Sequence, residues 1–168
     1  AVRGQLRSER FTTFAKDRFL TEFEKWLRGR PPVIQDNRLS DEDIADNNLI
    51  LFGDPGSNAV LARVVGSLPV TWTREELSIN GQKFTPTNSA LAMIFPNPLN
   101  PRRYVVINSG HTFHEVEFKA SNATLYPRLG DIAVIEFERR ADGSFGETIR
   151  MNEIFNSRWE LTGAAPEE

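Results

Sequence analysis

The sequence contains no cysteine. That removes thiol catalysis, thiolate metal ligation and disulfides together, and it leaves the compartment open, since cysteine-free chains suit either redox environment. Histidine is nearly as scarce: His111 and His114 are the only two, and both lie in "RYVVINSGHTFHEVEF". Long apolar runs are missing as well. "NLILF" and "ALAMIF" fall far short of the ~20 residues that a spanning helix requires, so no membrane span is expected. Nor is there an excess of positive charge. The net charge is -3, with 26% charged and 39% apolar residues, an ordinary globular balance with no surplus of basic groups to neutralise phosphates. Nucleic acid is therefore not an expected partner. A chain of 168 residues fits one domain and should bury roughly 70% of the surface that its unfolded form exposes. It opens on Ala1 and the charged run "VRGQLRSERF", too polar for a signal peptide. Without an initiator methionine it reads as a processed protein or a piece of a longer one, and the longer protein is the expectation.

What the sequence does have is a helical start followed by short apolar runs. Ser8 is placed to cap a helix over about 9–28, with Glu9 in its first turn, Gly29 to end it, and Pro31 and Pro32 barring continuation. At about 100° per residue, Phe11, Ala15, Phe19, Leu20, Phe23, Trp26 and Leu27 share one broad face, and Asp17, Thr21, Glu24 and Arg28 the other. Phe14 falls on the polar side. It is a candidate contact to another domain, the plainer alternative being one exposed aromatic in an irregular first turn. The acidic stretch "PPVIQDNRLSDEDIADN" reads as a connector with at most one helical turn.

From Asn48 the pattern changes to branched apolar runs, the mark of buried strands, expected at about 49–53, 90–95, 103–109 and 131–138. A helix near 58–67 can set Val60, Leu61, Val64 and Val65 against a sheet. Asn80-Gly81 and Asp142-Gly143 are hairpin signals. The fold class expected is α/β: a mixed, partly parallel sheet with a flavodoxin- or Rossmann-like core, added β-hairpins and an N-terminal amphipathic helix. Residues 1–47 would form the helix and connector, 48–163 the α/β domain and 164–168 a frayed tail.

Two loops are candidate sites. "GDPGSN" joins a strand to a helix N-terminus, where unpaired N–H groups and the positive dipole end favour anions. It lacks both G-x-G-x-x-G and a Gly-Lys-Ser/Thr ending and carries Asp54 where a phosphate would approach, so phosphate binding is disfavoured and no cofactor is expected. The alternative is structural: Pro55 and Gly56 make the turn and Ser57 or Asn58 caps the helix. The second loop, "NSGHT", follows a buried strand. If the strands at 49–53 and 103–109 are parallel neighbours, both loops open on one crevice lined by Asp54, Ser57, Asn58, Asn108, Ser109, His111 and Thr112. Ser109 and His111 suggest nucleophile and base, but on an extended chain their side chains stand roughly 6–7 Å apart, and no G-x-S-x-G elbow is present. An i, i+3 histidine pair is a weak ligand set, so no tightly bound metal is expected. "FPNPLNPRR" is read as a loop of about seven residues, too short for a parallel crossover. The strands that it joins should pair antiparallel, placing it opposite "NSGHT" with Arg102 and Arg103 in solvent. Asn122-Ala123-Thr124 matches a glycosylation triplet that is common by chance.

The run "NLILFGDPGSNAVLARVVGSLPV", with "FPNPLNPRRYVVINSGHTF" and "LGDIAVIEF", resembles the C-terminal domain appended to a family of large bacterial prolyl-oligopeptidase-like α/β-hydrolase proteins, over about 48–137. The resemblance implies that the hydrolase domain and its nucleophilic serine lie upstream in the same polypeptide. No family catalytic residue falls on this chain, and the helix at 9–28 would connect the two parts. The function expected is a non-catalytic accessory domain that binds a small polar ligand or packs on the hydrolase; the alternative is an independent hydrolase using Asp54, Ser109 and His111. The oligomeric state is left open.

Overall fold

The computed structural model describes residues 2–109 and 129–161, with side chains for all of these except 2–8 and Trp26. Helix α1 spans Val2–Leu27, so it starts ahead of Ser8, which is an interior residue rather than the cap. At its other end Arg28, with φ 52°, takes the left-handed turn expected of Gly29, and its N–H closes on the Glu24 carbonyl at 3.1 Å. The connector holds more helix than its weak periodicity suggests. A 3-10 turn covers Asp36–Arg38, and α2, Asp41–Asp46, is started by a capping box in which Ser40 and Asp43 satisfy each other's backbone N–H groups.

Strand β1 is Leu49–Leu51, shorter than expected because the chain breaks at Gly53, whose φ of 114° is open to glycine and strained for other residues. Helix α3, Ala59–Val64, continues as a 3-10 turn over Val65–Ser67. Three short strands follow: β2 Thr71–Trp72, β3 Leu77–Ile79 and β4 Gln82–Phe84. The last two are joined at Asn80-Gly81 with φ 49° and 82°, as a two-residue hairpin with the primed turn requires. These form a sheet of their own.

The main sheet has the order β1-β6-β5-β7-β8, with β5 Ser89–Asn97, β6 Asn100–Ile107, β7 Ile132–Arg139 and β8 Phe145–Glu153. The fold is mixed α/β. Among the described strands of this sheet only β1 and β6 run parallel; the pairs β5–β6, β5–β7 and β7–β8 are antiparallel. A flavodoxin- or Rossmann-like sheet would need several parallel strands joined by crossovers.

The proline loop of the sequence reading is instead a tight hairpin. Asn97 pairs with Asn100, and Pro96 and Pro101 lie inside β5 and β6. Tyr104, opposite Pro96, turns its N–H outward to Asn48 Oδ1 at 2.9 Å. The nitrogen of Pro96 therefore also points outward, on the side where β7, which pairs with β5 only as far as Met93, has already ended. A missing donor costs nothing there.

Strict alternation sorts the two faces of the sheet. Leu91, Met93, Val105, Ile107, Ile132 and Val134 pack with Leu49, Leu51, α3 and the small sheet's Trp72, Leu77 and Ile79. On the other face Ala90 packs with Phe11 of α1 and Phe137, while Ala92 and Ala133 form a second cluster with Leu129 and Ile135. Phe11 stacks on Phe137 with centroids 4.0 Å apart and planes 5° apart, Phe19 meets Phe52 at 5.5 Å, and Arg18 pairs with Glu147 of β8 at 3.2 Å. Gly130, with φ 61°, closes the lower edge. A Cβ there would sit 2.4 Å from the Glu153 carbonyl oxygen, so only glycine lets β8 pass.

Candidate functional site

The parallel register aligns Leu51 with Ile107, and the two chains leave the sheet at the same edge. "GDPGSN" and the start of "NSGHT" therefore meet, as expected for parallel neighbours. Their meeting point is Asn108. It is buried, in left-handed backbone with φ 47°, and its N–H donates to the Leu51 carbonyl at 2.8 Å. The side-chain amide receives the Gly53 N–H at 2.9 Å and donates to the carbonyls of Gly53 at 3.0 Å and Leu91 at 2.9 Å. One side chain thus fastens β1, β5 and β6 together at the mouth of the crevice.

The loop itself is equally occupied. Asp54 Oδ1 accepts the Gly56 N–H at 2.8 Å, and the Asp54 N–H donates to Ser57 Oγ at 3.0 Å. The Asp54 carbonyl takes the N–H groups of Ser57 and Asn58, both at 3.0 Å. Ser57 Oγ also explains Gly53, because a Cβ on residue 53 would lie 2.7 Å from it. Asn58 Oδ1 caps α3 by accepting from Val60 and Leu61, both at 3.0 Å, while its amide donates to the Phe52 carbonyl at 3.1 Å.

The remaining N–H of that helix end, on Ala59, is taken by Asp36 Oδ2 at 2.6 Å. Sequence reasoning missed Asp36. The orphan donors and the positive dipole end that could hold an external anion hold a carboxylate supplied by the connector. No local signal marks this residue, because the contact spans 23 positions.

Ser109 follows Asn108 and is half-buried. His111 and Thr112, like His114 and Asn122, lie outside the described residues. Among the described residues, no three metal-ligating side chains come together and no helix is long and apolar enough to cross a membrane.

Phe14 is half-buried rather than exposed. Its ring lies 5.3 Å from that of Phe145 and 6.3 Å from that of Phe11, with the Arg18 guanidinium 5.2 Å above it. On the helix, Phe14 stands about 60° from Phe11, at the border of the buried stripe, where β8 raises Phe145 to meet it.

No family model, no curated protein and no solved structure matches this chain.

Proposed function

We propose that this chain is a non-catalytic accessory domain of a larger serine hydrolase, peptidase- or esterase-like, working beside a hydrolase domain upstream in the same polypeptide. The observation that carries the reading is the commitment of the crevice. The amide of Asn108, the carboxylates of Asp54 and Asp36, and the side chains of Ser57 and Asn58 are spent on fastening backbone. A hydrolase needs its nucleophile, base and oxyanion donors turned toward substrate; the side chains of Asn108, Asp54, Asp36, Ser57 and Asn58 are instead turned inward to build an edge. The resemblance of "GDPGSN", "PNPLNP" and "NSGHTF" to the appended domain of prolyl-oligopeptidase-like proteins supplies the partner. The parallel pairing of β1 with β6, with the loop between β1 and α3 at its end, supports a flavodoxin-like origin for that unit, and an interdomain contact at Phe14 would use the ring edge left open by Phe11 and Phe145.

The test is fluorophosphonate labelling of the native polypeptide, followed by mapping of the labelled serine. The expected result is a serine upstream of Ala1. Label on Ser109 would overturn the reading.

A further inference from the structure

A second concave surface lies at the same end of the main sheet as the crevice, displaced across it toward β7 and β8: Ser89 is two residues from Leu91, whose carbonyl Asn108 holds, and pairs with Glu136. Where the small sheet stops covering β5 and β7, a groove of about 580 Å³ opens between the two sheets, lined by Lys83, Phe84, Thr85, Ser89, Glu136 and Arg150 among others. Ser89 and Glu136 are cross-strand partners, and Thr148 lies opposite Glu136 on its other side. By simple alternation Arg150 would follow Thr148 along β8 toward Val134. A bulge intervenes: Ile149 pairs with Ile135 and Met151 with Val134, leaving Arg150 as the extra residue. Bulges re-aim side chains, and this one turns Arg150 back along the sheet, so that its Nε donates to Glu136 Oε2.

Glu136 is itself held. Its other oxygen accepts from Asn88 Nδ2 at 2.9 Å, an arrangement that leaves Asn88 Oδ1 buried without a partner among the described residues. A buried, unpaired acceptor costs stability, and the amide keeps this orientation because Glu136 takes its donors. The Arg150 hydrogen bond holds the Glu136 carboxyl below the usual carboxylate range, so it stays ionised and keeps the guanidinium in place. The chain Asn88–Glu136–Arg150 thus fixes an arginine by one edge of its fork. Its two terminal nitrogens have no partner among the described residues, and Arg150 lines the groove together with Ser89 and Thr85.

We propose that this groove binds the carboxylate of a small ligand, with Arg150 as its pre-oriented fork and Phe84 as the wall for an apolar arm. The local charge selects the class. Lys83 is paired with Glu76 at 3.2 Å and Arg150 with Glu136, so two cations meet two carboxylates. With no net positive charge left over, a phosphate dianion is disfavoured more strongly than a singly charged carboxylate, which the Arg150 fork would hold by hydrogen bonds. Guanidinium recognises a carboxylate in the plane of its fork, and the volume lies within the range of small-molecule sites. The inference is independent of the crevice at Asn108 and of any upstream domain.

The experiment is a titration of the full 168-residue chain, followed by amide chemical shifts, with N-acetylphenylalanine as the probe. Its neutral amide and inorganic phosphate serve as comparisons. The expected result is saturable movement of the Ser89, Glu136 and Arg150 amides with the acid and not with the amide. Arg150→Gln should weaken binding by about tenfold or more, and Lys83→Gln, an exposed substitution that leaves the fold alone, by about threefold. Equal shifts with the acid and its amide, saturation by phosphate at lower concentration than by the acid, unchanged binding in Arg150→Gln, or no saturation with the acid would each overturn the proposal. Should Arg150→Gln fail to fold, the acid-amide comparison and Lys83→Gln decide it.

Discussion

Asp36 Oδ2 accepts the N–H of Ala59 at 2.6 Å, so the connector supplies the anion for the helix end that the "GDPGSN" loop presents. Loss of a side-chain cap costs about 1 kcal/mol. Asp36→Ala should lower the urea-unfolding free energy by that amount, and Asp36→Asn, which keeps an acceptor, by less. No change in either variant would mean that the contact is not formed in solution.

Asn108 should be the most sensitive polar position. Truncation to Ala leaves the Gly53 N–H and the carbonyls of Gly53 and Leu91 without this partner, and each buried unsatisfied group costs about 1–3 kcal/mol. A loss of about 3 kcal/mol or more is expected. Asn108→Gly should be the milder change by about 1 kcal/mol, because the φ of 47° suits glycine and strains alanine. Chemical denaturation of the pair separates the hydrogen-bond contribution from the backbone one.

Helix α1 should behave as part of the same cooperative unit. Phe11 is 3% exposed and stacked on Phe137, so Phe11→Ala should cost about 3–5 kcal/mol. Phe14→Ala, half-buried between Phe145 and Arg18, should cost about 1–2 kcal/mol, more than a surface site. Coincident loss of helical circular dichroism and Trp fluorescence checks the cooperativity; an early, separate helical transition would contradict it.

What was legible in the sequence was the chemistry that acts over a few residues. Asn80-Gly81 and Asp142-Gly143 lie in the turns that their conformations demand, Asn58 is the cap, and the apolar runs at Leu49 and Val105 lie in strands. What was hidden depends on the partner. A proline inside a strand is admissible only where the next strand has ended, which Pro96 cannot announce. Phe14 projects to the polar side of an isolated helix and becomes a contact only because Phe145 comes to it. Asp36 and Arg150 acquire their roles through a long-range bond and a bulge, neither of which has a local pattern. At the crevice Asn108 is bonded to Gly53, next to Asp54, and the hydrogen bonds of Asp54, Ser57, Asn58 and Asn108 run into the protein.

Acid should loosen the fold. The carboxyls of Asp43, Glu76, Glu136 and Asp142 are held below their ordinary ranges, chiefly by hydrogen bonds from Ser40, Lys83, Arg150 and Ser144 respectively. A carboxyl whose folded pKa is depressed contributes stability above its unfolded value, here 3.8 for Asp and 4.5 for Glu, and loses it as pH falls through the lower folded value. The melting temperature should therefore hold steady above about pH 5 and fall on acidification. Ser40→Ala and Arg150→Gln should each flatten part of that fall.

The central claim, that this chain is an accessory domain and not a self-sufficient hydrolase, is tested most directly by turnover. The 168-residue chain is incubated with a panel of fluorogenic esters and peptides, beside its His111→Ala variant. The account expects the same background rate from both proteins and from buffer. Turnover by the parent chain that disappears in His111→Ala would contradict it and establish catalysis that depends on His111.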